Sequence, residues 1–264
     1  MSTRIALTRA VSPGIGQGER THVPRVPIDV ERAVRQHEEL ERRLAACGCR
    51  VARVPPAPDC PDSVFVEDTA VVLDELAVAT RPGAPARRPE VAAVADALRA
   101  YRPVAWIEPP GTLDGGDVLR VGRTLYVGLS ARTNREGAAR LERLAAPYGY
   151  RVRLVEVRGA LHLKSAATEV ADGTVLVQPR WLPPGAFREL GRIEVDPGEP
   201  WAANALRVGD RVLHPAAFPR TRERLEARGI ATLPVDVSEL AKAEGGITCC
   251  ALVFEVRDDA VGAE

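Results

Sequence analysis

Near its C-terminal end the chain reads Glu244-Gly245-Gly246-Ile247-Thr248-Cys249-Cys250, two thiols behind a flexible glycine pair. A thiol becomes a strong nucleophile once ionised, and it then needs an imidazole as acid or base and a group that orients the imidazole. If a strand begins at the cysteines, alternation turns the two thiols to opposite sides, one buried and one facing a site. His162, in Leu161-His162-Leu163-Lys164-Ser165, is a candidate imidazole, and in an alternating strand it faces with Lys164. Asp114, in Gly111-Thr112-Leu113-Asp114-Gly115-Gly116-Asp117, is a candidate orienter beside a tight turn. A third segment, Pro61-Asp62-Ser63-Val64-Phe65-Val66-Glu67-Asp68-Thr69, carries three carboxylates into an apolar run. Buried carboxylates call for a cationic partner. Alternation there puts Asp62 and Asp68 on one side, with Phe65 and Glu67 on the other. The same segments also fit a strand cap, a loop and a structural histidine, and nothing in their spacing brings them together.

The elements that must position these residues repeat. A short apolar strand, a tight turn and a second strand recur over 69–83, 117–134, 168–179 and 204–218, and 251–256 with 5–11 supplies a fifth pair. The turns Gly122-Arg123, Asp172-Gly173 and Gly209-Asp210 carry the residues that hairpins favour. Amphipathic patterns predict helices over 29–47, 89–101, 134–148, 220–228 and 237–243, with third strands over 50–54, 104–107 and 151–155. Five units of about fifty residues are each too small to bury a sheet alone, so they must pack together, and a ring-like α/β domain over 1–264 is the expected fold. No glycine-rich phosphate loop supports a doubly wound nucleotide fold.

Composition excludes several classes. The 264 residues hold 36 basic and 36 acidic groups, no basic body for nucleic acid. No apolar run is long enough to span a membrane, and the start of the chain lacks a signal-peptide core, so a cytoplasmic protein is expected. Five cysteines, Cys47, Cys49, Cys60, Cys249 and Cys250, make a poor disulfide framework, and scattered histidines at 22, 37, 162 and 214 make a poor zinc site.

Several long segments, in order, resemble the dimethylarginine dimethylaminohydrolases of the guanidine-modifying (pentein) superfamily: DSVFVEDTAVV, TRPGAPARR, TLDGGDVLRVGRTLYVGLSARTN, LHLKSA and EGGITCCALVF, spanning about residues 60 to 256. The resemblance implies a five-bladed α/β propeller of ββαβ modules, with Cys249 as nucleophile, His162 as general acid/base and Asp114 as its orienter. It implies that Asp62 and Asp68 grip a guanidinium, that Glu67 helps to hold the pocket and that Phe65 walls it. Arg87 and Arg132 fall where the family binds a substrate carboxylate, and Ala243 and Glu244 also border the substrate. Arg20 stands in the lid where relatives carry leucine, whose carbonyl meets the substrate amino group. The implied reaction converts a methylated arginine to citrulline without metal or organic cofactor, with arginine or another substituted guanidine as the alternative substrate.

Overall fold

The computed structural model describes residues 2–257; residue 1 and residues 258–264 of the expected 1–264 unit lie outside it. The chain opens with β1 (Ser2–Arg9), α1 (Val30–Ala46) and β2 (Cys49–Val54). A second unit holds β3 (Ala70–Val72), β4 (Ala77–Ala79), α2 (Val91–Arg99) and β5 (Val104–Trp106). The third holds β6 (Val118–Val121), β7 (Thr124–Leu129), α3 (Arg135–Ala145) and β8 (Arg151–Glu156). A short helix, α4 (Leu163–Ala166), leads into β9 (Ala167–Ala171), β10 (Thr174–Val177) and β11 (Gly191–Glu194). The fifth unit is β12 (Leu206–Val208), β13 (Arg211–Pro215), α5 (Pro219–Glu226) and β14 (Ala231–Val235), after which α6 (Ser238–Lys242) precedes β15 (Leu252–Arg257).

In every unit the middle strand pairs antiparallel on one side and parallel on the other, giving five three-stranded sheets among the described residues. The parallel partner needs a crossover. A helix supplies it in four units, whereas the fourth crosses from β10 to β11 through turns around Pro179–Trp181. β15 pairs antiparallel with β1, Ile5 opposite Phe254, so the two ends of the chain complete one sheet. The expected five-unit ring is the observed fold.

The core explains why the units cohere. Each of the five main apolar clusters joins two neighbouring units: Ile5 and Leu7 with Ala77, Val78 with Leu125, Tyr126 with Val175, Leu176 with Val212, and Leu213 with Ala6. Fully burying a valine, leucine or isoleucine side chain contributes about 1.5–3 kcal/mol, so the ring is stabilised at every joint and no unit stands alone. The helices form where polar caps allow: Asp29 accepts Arg32 N–H ahead of α1, and Asn134 accepts Gly137 N–H ahead of α3. Gly122, Gly173 and Gly209 take the left-handed backbone that the hairpin turns require.

Three expectations about local structure are corrected. Residues 66–69 and 248–250 are 3-10 turns instead of strand, and His162 caps α4 instead of sitting in a strand. Side-chain alternation therefore does not govern 62–68 or 162–164. The two cysteines still differ, with Cys250 fully buried and Cys249 part-exposed, because a tight turn also separates adjacent side chains. No helix is long and apolar enough to cross a membrane.

Candidate active site

The five strands β3, β6, β9, β12 and β15 line one axial cavity of about 1080 Å³, which reaches Glu67, Gly115, Lys164 and Thr248. Each of these strands is preceded by a short junction, and the junctions carry the chemistry. Residues 62–69 lead into β3, 114–117 into β6, 162–166 into β9, Asn204 into β12 and 248–250 into β15. A propeller brings all five junctions to one end of its axis. Residues scattered over nearly 190 positions thereby become neighbours.

At the centre His162 is 4% exposed. Its Nε2 lies 3.0 Å from Asp114 Oδ2 and its Nδ1 lies 3.7 Å from Asp68 Oδ1. Asp114 is itself fixed: its Oδ1 accepts Gly83 N–H at 2.9 Å, and its backbone N–H donates to Thr133 Oγ1 at 3.1 Å. Gly116 donates its N–H to Asp68 Oδ1 at 3.0 Å, and a side chain at Gly116 would start 2.8 Å from His162 Nδ1, so only glycine lets the imidazole approach this turn. Burial opposes a charge on His162. Asp68, the Asp114 hydrogen bond and Asp117 outweigh it and raise the imidazole to about 9. Asp68 stays below the usual carboxylate range, because His162 and Arg87 overcome the burial that would raise it.

The thiol sits in the same field. Cys249 Sγ accepts Gly246 N–H at 3.2 Å. Burial pushes this thiol up to about 12, and the charges of Glu67 and Asp68 add to the effect. Glu67 is held by Lys164 at 2.6 Å and by the Thr248 hydroxyl at 2.7 Å. Asn204 Nδ2 donates to Thr248 Oγ1 at 2.9 Å and to Lys164 O at 3.0 Å, which closes a circuit across four junctions. The resting site at neutral pH thus holds an imidazolium and a neutral thiol among shared carboxylates. An entering planar cation would favour the thiolate. Relative to their rates with glutathione, cationic 2-chloroacetamidine is therefore expected to alkylate Cys249 at pH 7 at least about tenfold faster than neutral 2-chloroacetamide. Equal normalised rates in stopped-time mass spectrometry would show that the carboxylates exert no such pull.

The arginines divide unexpectedly. Arg87, expected at a substrate carboxylate, is buried and occupied: it pairs with Asp68 and Glu90 and donates to Asp62 O and Phe65 O at 3.2 and 3.0 Å. Its donors are engaged within the protein, and its effect is to fix Asp68. Arg132 is only 8% exposed, yet its guanidinium has no ion-pair or hydrogen-bond partner among the described residues. Arg20 is engaged within the protein as well. Its side chain is buried, donating to Lys242 O at 3.0 Å, Ile15 O at 2.8 Å and Glu19 O at 2.6 Å, 3.7 Å from Asp62 Oδ1. Asp62, whose other oxygen accepts Glu19 N–H at 2.8 Å, is turned to the lid. Glu244 holds that lid as well, accepting Thr21 and His22 N–H groups at 2.7 and 2.8 Å from a left-handed backbone. Ala243 is buried beside it, and the Phe65 ring packs so closely on Gly245 that a side chain there would start 2.1 Å away.

Asp117, Lys164, Asn204 and Thr248 escaped the residue-type argument, although all four lie ahead of an axial strand. Aligning the repeats on those strands would have found them. Asp68, Asp114 and His162 offer ligand atoms within 4.8 Å of one another, a spacing that suits a cation.

No protein-family model matches the chain. The N(G),N(G)-dimethylarginine dimethylaminohydrolase of Streptomyces coelicolor is 43% identical over 251 residues, covering 94% of this chain and 96% of that protein. The enzyme of the same name from Pseudomonas aeruginosa is 36% identical over 228 residues, covering 86% and 90%. Among solved structures, the Pseudomonas aeruginosa C249S mutant complexed with citrulline superposes with a TM-score of 0.88 at 33% identity, over 94% of this chain and 98% of that one. An H162G adduct of a dimethylarginine dimethylaminohydrolase with S-methyl-L-thiocitrulline reaches 0.90 at 33% identity, over 96% and 100%. Likeness of this extent, running through every unit of the ring, makes the chain a member of the dimethylarginine dimethylaminohydrolase family, within the pentein superfamily.

Proposed function

We propose that the protein hydrolyses Nω-methylated L-arginine to L-citrulline and methylamine or dimethylamine, with Cys249 as nucleophile and His162 as acid and base. The observation that carries this reading is the His162–Asp114 hydrogen bond set beside Asp68, in the same carboxylate field as the Cys249 thiol. Its relatives' names and their citrulline and thiocitrulline complexes point the same way.

The guanidinium carbon is a poor electrophile because its charge is delocalised. Asp68, held ionised, accepts from the planar cation and keeps it charged. That cation lowers the cost of the Cys249 thiolate, whose proton leaves to solvent. The thiolate attacks the guanidinium carbon, and a tetrahedral adduct forms. His162 donates a proton to the substituted nitrogen, the carbon–nitrogen bond breaks, and the amine departs, leaving an S-linked amidine on Cys249. The neutral imidazole then takes a proton from water as its oxygen adds to the same carbon. Collapse of the second adduct expels the thiolate and frees the ureido product. Asp114 orients the ring throughout. Arg132 meets the substrate carboxylate, and Asp62 with Arg20 and Glu244 holds the lid.

Incubation with asymmetric dimethylarginine is expected to release citrulline and dimethylamine in equal amounts, with kcat/KM above that for unmodified arginine. Faster turnover of arginine, with ammonia as co-product, would replace the methylated substrate while keeping the same Cys–His chemistry.

A further inference from the structure

Asp117 is fully buried, yet the mechanism leaves it no contact with the reacting atoms. Its Oδ1 accepts the N–H of Leu163 at 2.9 Å, in the first turn of α4 and directly after His162. Its Oδ2 accepts the Ser130 hydroxyl at 2.6 Å. Ser130 Oγ in turn accepts the backbone N–H groups of Arg132 at 3.0 Å and Thr133 at 3.3 Å. Thr133 then accepts Asp114 N–H, so one carboxylate reaches the imidazole, its orienter and the loop that carries Arg132.

We propose that Asp117 is a positioning residue that joins the two halves of the site, setting His162 through α4, favouring its charged form, and tethering the Arg132 loop through Ser130. This rests on the roles given above to His162 and Arg132. A buried carboxylate is expensive where a neutral group would serve the same hydrogen bonds. Ser130 Oγ already accepts two backbone N–H groups, so its hydroxyl needs an acceptor that an asparagine N–H would not offer; the carboxylate accepts from both Leu163 and Ser130 and also sets a negative charge near His162. Burial raises Asp117 to about 6, with His162, Ser130 and Thr133 opposing that rise. Near neutral pH the charge therefore persists beside the imidazolium.

The groups around His162 fix the direction of the effect. Asp68, Asp114 and Asp117 face it from two junctions, Arg87 stands behind Asp68, and Lys164 is occupied by Glu67. The Cys249 thiol, raised by burial, adds no negative charge at pH 7. Removing one of the three negative charges must make the imidazolium give up its proton at lower pH.

The test combines Asp117→Asn with Ser130→Ala. In Asp117→Asn, the His162 titration followed by NMR on histidine-labelled protein is expected to fall by at least about one pH unit from its value near 9. The alkaline limb of kcat should move with it, a loss of about fivefold at pH 9 beyond any change at pH 6.5. Ser130→Ala should instead raise KM for dimethylarginine at least about fivefold and leave the His162 titration in place. An unmoved titration in Asp117→Asn overturns the proposal, as does a Ser130→Ala variant with unchanged KM. Should Asp117→Asn fail to fold, the Ser130→Ala arm still decides the tether. The NMR arm needs no turnover, so a wild-type protein that fails to hydrolyse methylated arginines refutes the proposed function separately.

Discussion

Cys249→Ser is expected to lower kcat for dimethylarginine by at least about 10³-fold, whereas Cys250→Ser keeps most of the activity. The contrast follows from where the turn at Thr248–Cys250 sends each side chain. Cys249 meets Gly246 N–H and feels Glu67 and Asp68. Cys250 has no exposed surface, packs in the cluster with Leu240 and Ile247, and points its thiol at Gly246 O, 3.5 Å away. A hydroxyl is less soft a nucleophile than a thiolate and cannot be ionised by the same neighbours. At Cys250 the same change only exchanges a small apolar group for a polar one already close to a carbonyl, costing about 1 kcal/mol of stability or somewhat more. Steady-state citrulline release gives the first measurement. Peptide mapping after 2-chloroacetamidine gives the second, and predominant labelling of Cys250 would reverse the assignment.

That contrast was legible in the sequence for a reason that proved incidental. Alternation along a strand separated the thiols on paper, while a 3-10 turn separates them in the fold. Alternation failed outright at 62–68, where a turn buries Asp62, Phe65, Glu67 and Asp68 together. The repeat was the more reliable guide, because hairpins and crossovers are set by local periodicity and turn residues. The ring follows from five units that share their cores. What periodicity cannot carry is the meeting of the junctions. His162 and Asp114 are 48 residues apart in neighbouring units, and Thr248 meets Glu67 across 181, distances that only the packing of the units around the ring removes. Nor does a motif reveal which guanidinium is free. Arg87 and Arg132 match the family equally well as letters, and the difference lies in Glu90, which sits three residues beyond Arg87 and binds it. Asn204 and Thr248 were missed because neither residue type signals chemistry. Their place ahead of β12 and β15, equivalent to that of Asp114 ahead of β6, was the available signal.

The guanidinium of Arg132, without a partner among the described residues, leads to a sharp separation between holding the substrate and transforming it. Arg132→Ala is expected to cost roughly 2–5 kcal/mol in kcat/KM for dimethylarginine, the range for truncating one partner of a buried charge pair. For a simple methylated alkylguanidine, which has no carboxylate, the same substitution should cost under about 1 kcal/mol. Asp68→Asn should impair both compounds by roughly similar factors, since each presents a guanidinium to Cys249. The asparagine also removes the charge that His162 and Arg87 share, so Arg87 is left with Glu90 and two carbonyls and no longer anchors the grip. Measuring kcat/KM for the two substrates with each variant, by ureido product and released amine, distinguishes the roles. Equal losses from Arg132→Ala on both compounds would make that arginine structural. A larger loss on the carboxylate-bearing substrate from Arg87→Ala than from Arg132→Ala would return the clamp to Arg87, against a geometry in which its donors are already engaged.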